Sequence, residues 1–376
     1  MSVNSNSSNQ VRLGDYIQLC DERNSDGEYK LDQVRGISIL KKLIETKADM
    51  QDVPLFSYKI LKPREFAYVT VTSRNGEKIS LAINDSDETY MVSSSYLVFK
   101  SISKDQLLPE YLYLMLSRIE FDRLSRFNSW GSARETFDWS EFCRLQIPLP
   151  DLYIQQELVD TYNGLKALAE QNEALIKPLT EACQAYIVDC KKKYDEVELG
   201  EYIEEYDKRN SNNKIKAVKS VSVTKEFKET GAKVNKDELE GYKIVPPNHL
   251  SYVQTTKNEK CFANALNTSN ETYVVTQVNK VIFSKDTSVL NIGYLHIIFR
   301  GKEFDRYAIF NSWGSARETF DWNELCKVLI PLPPSEVQQA IVDIYNCAEE
   351  AKKIANDARE KMKTICPALV QKAINI

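Results

Sequence analysis

Through the middle of this chain, short apolar runs rich in β-branched and aromatic residues alternate with turn signals, and long helical periodicities follow. The runs LFSYKI (55–60), FAYVTVT (66–72), KISLAI (78–83) and SYLVF (95–99) have the length and composition of strands, with turns marked by Lys62-Pro63 and Asn75-Gly76. A second series follows the same pattern with YKIV (242–245), LSYVQTT (250–256), ETYVVTQV (271–278) and KVIFS (280–284), its tips at Pro246-Pro247 and Lys257-Asn258. Between the two series, PEYLYLMLSRIEFDRLSR (109–126) has the spacing of one amphipathic helix. Each half therefore reads as an α+β domain.

Helical periodicity then takes over twice. Val337, Ile341, Ile344, Ala348, Ala351, Ala355, Ala358, Met362, Ile365 and Leu369 alternate steps of three and four, a heptad seam whose alanines suit a close partner helix. Ile154, Leu158, Leu165, Leu168, Leu175, Leu179 and Ala182 follow the same template, interrupted by Thr161 and Asn172. Pro178 and Pro367 stand late in the two segments, where either can kink or end a helix. About 40 helical residues span roughly 60 Å, enough to hold two domains apart. The economical arrangement is that the two segments pair with each other, although a second protein would produce the same pattern.

The two halves are copies. FNSWGSARETFDW occurs at 127–139 and, unchanged, at 310–322; Glu120 to Arg123 recurs as Glu303 to Arg306, and Ile147 to Pro150 as Ile330 to Pro333. Gln155 and Gln156 return as Gln338 and Gln339. At the start, Val11, Leu13, Gly14, Tyr16 and Ile17 return as Val197, Leu199, Gly200, Tyr202 and Ile203. Each copy keeps its ends and varies its middle, as two versions of one scaffold would if set to recognise different things. The repeat is too long for a solenoid unit and suits a domain with its connector. It sets domains at 11–150 and 195–333, helices at 151–194 and 334–376, and a polar leader over 1–10.

Composition narrows the function. With 43% hydrophobic and 27% charged residues the chain can build sizeable cores, and no apolar run is long enough to cross a bilayer. The polar start reads as a disordered leader of a cytoplasmic protein. The eight cysteines form no CxxC pair, and with only His249 and His296 beside them they make no zinc site of ordinary spacing. A net charge of -5 argues against indiscriminate phosphate binding, yet the variable middles hold basic clusters. Lys59, Lys62, Arg64, Arg74 and Lys78 stand with only two glutamates over 54–80, and Lys214, Lys216, Lys219, Lys225 and Lys228 with only Glu226. A solvated face is the bland explanation of either cluster. The chain has no adenine-methyltransferase Asp/Asn-Pro-Pro-Tyr/Phe motif, no GxGxxG and no GxxxxGK[ST]. A nuclease centred on Asp151 would lose that acid in the second copy, where Pro334 stands.

A variable β-rich region, the block Ser129, Gly131, Ser132 and Arg134, then Ile-Pro-Leu-Pro with Gln155 and a long helix, all doubled, resembles the specificity (S) subunit of type I restriction-modification systems. The resemblance covers nearly the whole chain. It implies two target recognition domains joined by an antiparallel coiled coil of two long helices. It further implies a noncatalytic subunit without cofactors of its own, which reads a bipartite site in double-stranded DNA. Two methyltransferase (M) subunits and, in the full complex, restriction (R) subunits would be its partners.

Under that resemblance specificity belongs to the divergent middles, where Arg and Lys can reach guanine and Asn and Gln adenine. The candidates are Lys59, Arg64, Ser73, Arg74, Asn75 and Lys78, with Tyr58 and Tyr90 as supports, and Lys243, Gln254, Thr255, Lys257, Asn258 and Lys260. Residues identical in both copies cannot distinguish two half-sites, so Arg134 and Arg317 are candidates for phosphate contact or for pairing with Glu135 and Glu318. Trp130, Phe137, Trp139 and their copies are expected in cores or domain-to-helix packing. The rival reading is a duplicated scaffold that binds only protein, which explains the repeat and the helices but not the basic hairpins.

Overall fold

The computed structural model describes residues 10–46, 49–50, 53–71, 78–131, 135–255, 261–314 and 318–374, the last eleven as backbone only. The chain divides into two units, one running to Glu170 and resuming from Ala355, the other Gln171–Ile354.

In the first unit the order is β1 (Gln10–Arg12), β2 (Ile17–Cys20), β3 (Arg35–Ile37), β4 (Leu43–Glu45), β5 (Lys59–Leu61), β6 (Phe66–Tyr68), β7 (Leu81–Ile83), β8 (Tyr90–Val92), β9 (Leu97–Ser101), α1 (Pro109–Leu116), α2 (Ile119–Phe127), α3 (Trp139–Arg144) and β10 (Gln146–Pro148). The main sheet is antiparallel with order β2-β9-β6-β7, and three two-stranded pairs, β1-β10, β3-β4 and β5-β8, surround it. Helix α4 (Leu152–Lys193) leaves this unit and enters the second.

The second unit repeats the plan with β11 (Glu196–Glu198), β12 (Ile203–Glu205), β13 (Lys219–Val221), β14 (Phe227–Glu229), β15 (Lys243–Val245), β16 (Leu250–Val253), β17 (Asn264–Leu266), β18 (Tyr273–Val275), β19 (Asn279–Ser284), α5 (Ile292–Arg300), α6 (Lys302–Phe310), α7 (Trp322–Cys326), β20 (Leu329–Pro331) and α8 (Ser335–Ile374). Its main sheet, β12-β19-β16-β17, has the same topology.

Pairing explains why the repeat is best kept at its ends. Val11 lies opposite Ile147, and Val197 opposite Ile330, so the start of each half and its Ile-Pro-Leu-Pro segment form one ribbon. The cores are aromatic. Phe66 stacks on Phe99 at 4.8 Å between centroids and Tyr68 on Phe142 at 5.0 Å, while Tyr252, Phe262, Phe299 and Phe320 fill the second core. Such offset and edge contacts add to the apolar burial that drives folding.

The helix expected over 109–126 is in fact two. Arg118 is extended (ψ 152°) between α1 and α2, and Gly301 (ψ 142°) divides α5 from α6. The break has a physical cause at each site, because a buried lysine captures a carbonyl at the end of the first helix. Lys41 Nζ donates to Leu116 O and Lys225 Nζ to Phe299 O, both at 2.7 Å.

The two long helices pair antiparallel, since each unit takes the beginning of one and the end of the other. In the second unit the Cys183 thiol faces Ile341 O at 3.8 Å. The seam read along α8 holds where side chains are described: Ile341, Ala348, Ala351, Ala355 and Ala358 are buried. Along α4 the register differs from the expected one. Leu168 and Leu175 are exposed, whereas Gln155, Leu158, Ala169, Cys183 and Cys190 are buried, so small and polar positions occupy the inner face. Neither proline ends its helix: α4 runs through exposed Pro178 and α8 through Pro367. No helix among the described residues is long and apolar enough to cross a membrane.

Candidate nucleic-acid interface

The repeated block divides into residues that build and residues that are displayed. Asn128 and Ser129 cap the end of α2 by donating to Leu124 O (2.9 Å) and Ser125 O (2.6 Å), and Asn311 and Ser312 do the same for α6. Gly131 and Gly314 have φ of 138° and 133°, a region closed to L side chains, which accounts for their recurrence. Phe137 and Phe320 are fully buried, and Trp139 and Trp322 pack on their cores. Asp138 and Asp321 cap α3 and α7, accepting from Glu141 N at 3.0 Å and Glu324 N at 2.9 Å. The hydrogen bond from the Glu141 amide, with help from Ser140, holds the Asp138 carboxyl below its usual range.

Other members of the block face outward. Phe127 and Phe310 are 78% and 83% exposed, and Trp130 and Trp313 are 67% and 69% exposed. This corrects the expectation that both tryptophans of each block belong to core or packing. Trp130 is bridged through its backbone to Thr136, which leaves the indole on the outside.

The block and the variable hairpin meet in each unit. Val71 bridges Thr136 and Thr255 bridges Thr319; Phe137 N donates to Thr70 O, and Phe320 N to Gln254 O, at 2.8 Å. Shared structure therefore grips the chain just before residues 72–77 and 256–260. Ser73, Arg74, Asn75, Arg134, Lys257, Asn258, Lys260 and Arg317 lie outside the described residues, as do the Asn75-Gly76 and Lys257-Asn258 turn signals.

The described candidates fall into different places. Lys78 is exposed, and Gln254 and Thr255 are half-buried beside the block. Arg64 sits in a left-handed turn (φ 66°) before β6, with Nε 2.7 Å from Glu110. The pair draws its guanidinium to the first turn of α1. Lys59 and Lys243 are buried, 2.9 Å from Asp21 and 2.7 Å from Asp207. Each lysine thus meets the matching, largely exposed aspartate in its own unit. The support candidates Tyr58 and Tyr90 lie on or near the β5-β8 ribbon, and Arg35 stacks over the Tyr90 ring at 4.3 Å.

The basic clusters disperse similarly. Lys62 pairs with Glu22, Lys216 with Asp237 and Lys219 with Glu229, while Lys225 is buried. Glu135 pairs with Arg126. Among the described residues no group of three or more His, Cys, Asp or Glu is placed to hold a metal ion.

Sequence reasoning missed two internal pairs at the candidate interface. Lys41 Nζ lies 2.8 Å from Asp122 Oδ1, and Lys225 Nζ 2.6 Å from Asp305 Oδ1. The same oxygens accept Ile79 N at 3.1 Å and Phe262 N at 2.8 Å, just after the variable segments. A signal existed in the recurrence of Asp122 as Asp305 within EFDR. Desolvation lowers the pKa of both lysines, and the facing carboxylates oppose that shift.

Fold and interface together define a duplicated α+β protein in which each unit bridges the chain next to a variable segment to an identical block. Residues 38–181 match the type I restriction modification DNA specificity domain. No curated protein matches the sequence. Among solved structures, the S subunit of a type I restriction-modification system from M. genitalium has the same fold, with a TM-score of 0.61 at 9% identity over 99% of this chain and 97% of that one. The HsdS subunit from Thermoanaerobacter tengcongensis is 17% identical, with a TM-score of 0.37 over 97% and 96% of the two chains. Over residues 38–181 the chain is thus similar to the type I restriction modification DNA specificity domain, and over nearly its whole length it shares the fold of a solved S subunit.

Proposed function

We propose that each unit reads one half of a bipartite target in double-stranded DNA, with residues 11–150 and 195–333 as recognition domains and 151–194 and 334–376 as the helices that set the spacer. The observation that carries this reading is that the same block in each unit bridges the chain just before a different variable segment. Ser73, Arg74, Asn75 and Lys78 would face one half-site, and Gln254, Thr255, Lys257, Asn258 and Lys260 the other. Arg134 and Arg317 would contact phosphate, which positions without specifying. Arg64, held by Glu110, would act only through the fold.

Two methyltransferase subunits would dock on the two copies, one to each, with restriction subunits joining the full complex in the cytoplasm. The identity of the exposed Phe127/Trp130 and Phe310/Trp313 pairs supports one kind of partner at both places. S-adenosylmethionine, ATP and magnesium would belong to those partners.

The test is binding by the chain assembled with its methyltransferase partner to a pool of duplexes randomised in sequence. Enrichment of two short blocks at fixed spacing is the expected result. Assembly without any sequence preference would instead establish a protein-only scaffold.

A further inference from the structure

One arrangement recurs in both units behind the displayed residues. At the tip of the β3-β4 hairpin Lys41 has φ 59°, and at the matching tip Lys225 has φ 62°. A left-handed turn position favours Gly or Asn, so a lysine there keeps backbone strain. Both side chains turn inward to 5% and 6% residue exposure, where a charged group needs a partner and hydrogen bonds. Each ammonium finds the same two: the last carbonyls of the preceding helix, Leu116 O or Phe299 O, and the carboxylate of Asp122 or Asp305. The carboxylate also receives the amide of Ile79 or Phe262, where the chain re-enters the sheet.

Three elements thus converge on one oxygen, a hairpin tip, the second helix and the strand after the variable segment, and the end of the first helix joins them through the ammonium. Fixed buried ion pairs contribute little net stability but select one arrangement of the groups around them. We infer that Lys41–Asp122 and Lys225–Asp305 are positioning residues for half-site discrimination, each fixing the point at which its variable segment rejoins the scaffold. The inference rests on the two-half reading above and adds to it residues that touch no DNA.

The test uses the chain in complex with its methyltransferase partner. Lys41→Met with Asp122→Leu removes both charges and the acceptor of the Ile79 amide without leaving an unpaired ion. Discrimination at one block of the target falls at least tenfold, the other block keeps its preference, and amide exchange at Ile79 accelerates. Lys225→Met with Asp305→Leu exchanges the roles of the blocks and accelerates exchange at Phe262. Should the first variant assemble and read both blocks as the wild type does, or lose both equally, the positioning role is overturned. A wild-type complex with no two-block preference would overturn the functional reading itself, and the Ile79 exchange would still report whether the pair anchors the strand.

Discussion

Gln155 holds the amide of Leu108 by a hydrogen bond of 2.9 Å, and its own amide group donates to Gln106 O and Pro150 O at 2.8 Å. Gln338 repeats this with Asn291 N, Val289 O and Pro333 O, and both glutamines are fully buried. One side chain thus ties the start of a long helix to the segment ahead of α1 or α5. Replacing Gln155 by Leu strands a buried N–H and two carbonyls at about 1–3 kcal/mol for each left unmade. Urea unfolding should shift to lower concentration for Gln155→Leu and for Gln338→Leu by similar amounts; an unchanged midpoint would contradict the role.

The displayed and buried aromatics of the repeated block should separate in measurement. Phe137→Ala opens a cavity in the core and should cost about 3–5 kcal/mol, whereas Trp130→Ala, at an exposed position, should stay within about 0.5 kcal/mol. If Trp130 belongs to a docking surface, its loss weakens complex assembly or DNA binding while the thermal midpoint hardly moves. A large drop in melting temperature for Trp130→Ala would return it to the core.

The pH effect of a buried histidine should belong to the second unit. His296 is buried, and desolvation, with the charge of Arg300, depresses its pKa to about 3 from an ordinary 6.5. Between those values the unfolded chain binds a proton that the folded chain refuses, so stability falls as pH drops below 6.5, by up to about 1.4 kcal/mol per pH unit. The matching residue of the first unit is Tyr113, whose hydroxyl donates to Lys41 O at 2.9 Å. His296→Tyr should flatten the acid limb of a stability profile; an identical limb would assign acid loss to other groups.

Substitutions in the variable segments should act on one half of the target. Arg74→Ala or Asn75→Ala is expected to relax recognition of a single block by about 1–3 kcal/mol for each base pair no longer read, and Lys257→Ala or Asn258→Ala the other. Binding selection on randomised duplexes checks this, and equal loss at both blocks would indicate damage to the fold.

The doubled architecture is legible because the copies keep nearly constant offsets, and the apolar strands because β5, β6, β9, β15, β16 and β19 lie in or at the edge of the cores. The β3-β4 and β13-β14 hairpins give no such signal, since RGI, LIE, KSV and FKE carry no apolar run. Leu168 and Leu175 mislead the register of α4 because apolar character alone does not choose between two faces, and the inner one holds Ala169 and Cys183. At the interface, positive charge in the sequence suggests exposure. Lys59 and Lys243 are instead buried and paired with aspartates whose distance in sequence hides them, and at the break between α1 and α2 a helix-end carbonyl accepts from a lysine more than 70 residues away.

The most direct test of two-part reading is the methylation pattern in a host without such systems of its own, expressing the methyltransferase partner with this chain or with a variant whose residues 256–260 are replaced by 72–77. The predicted result is a split motif that requires this chain, with one block altered by the exchange and the other kept. Methylation that needs no specificity chain, or a motif indifferent to the exchange, would contradict it.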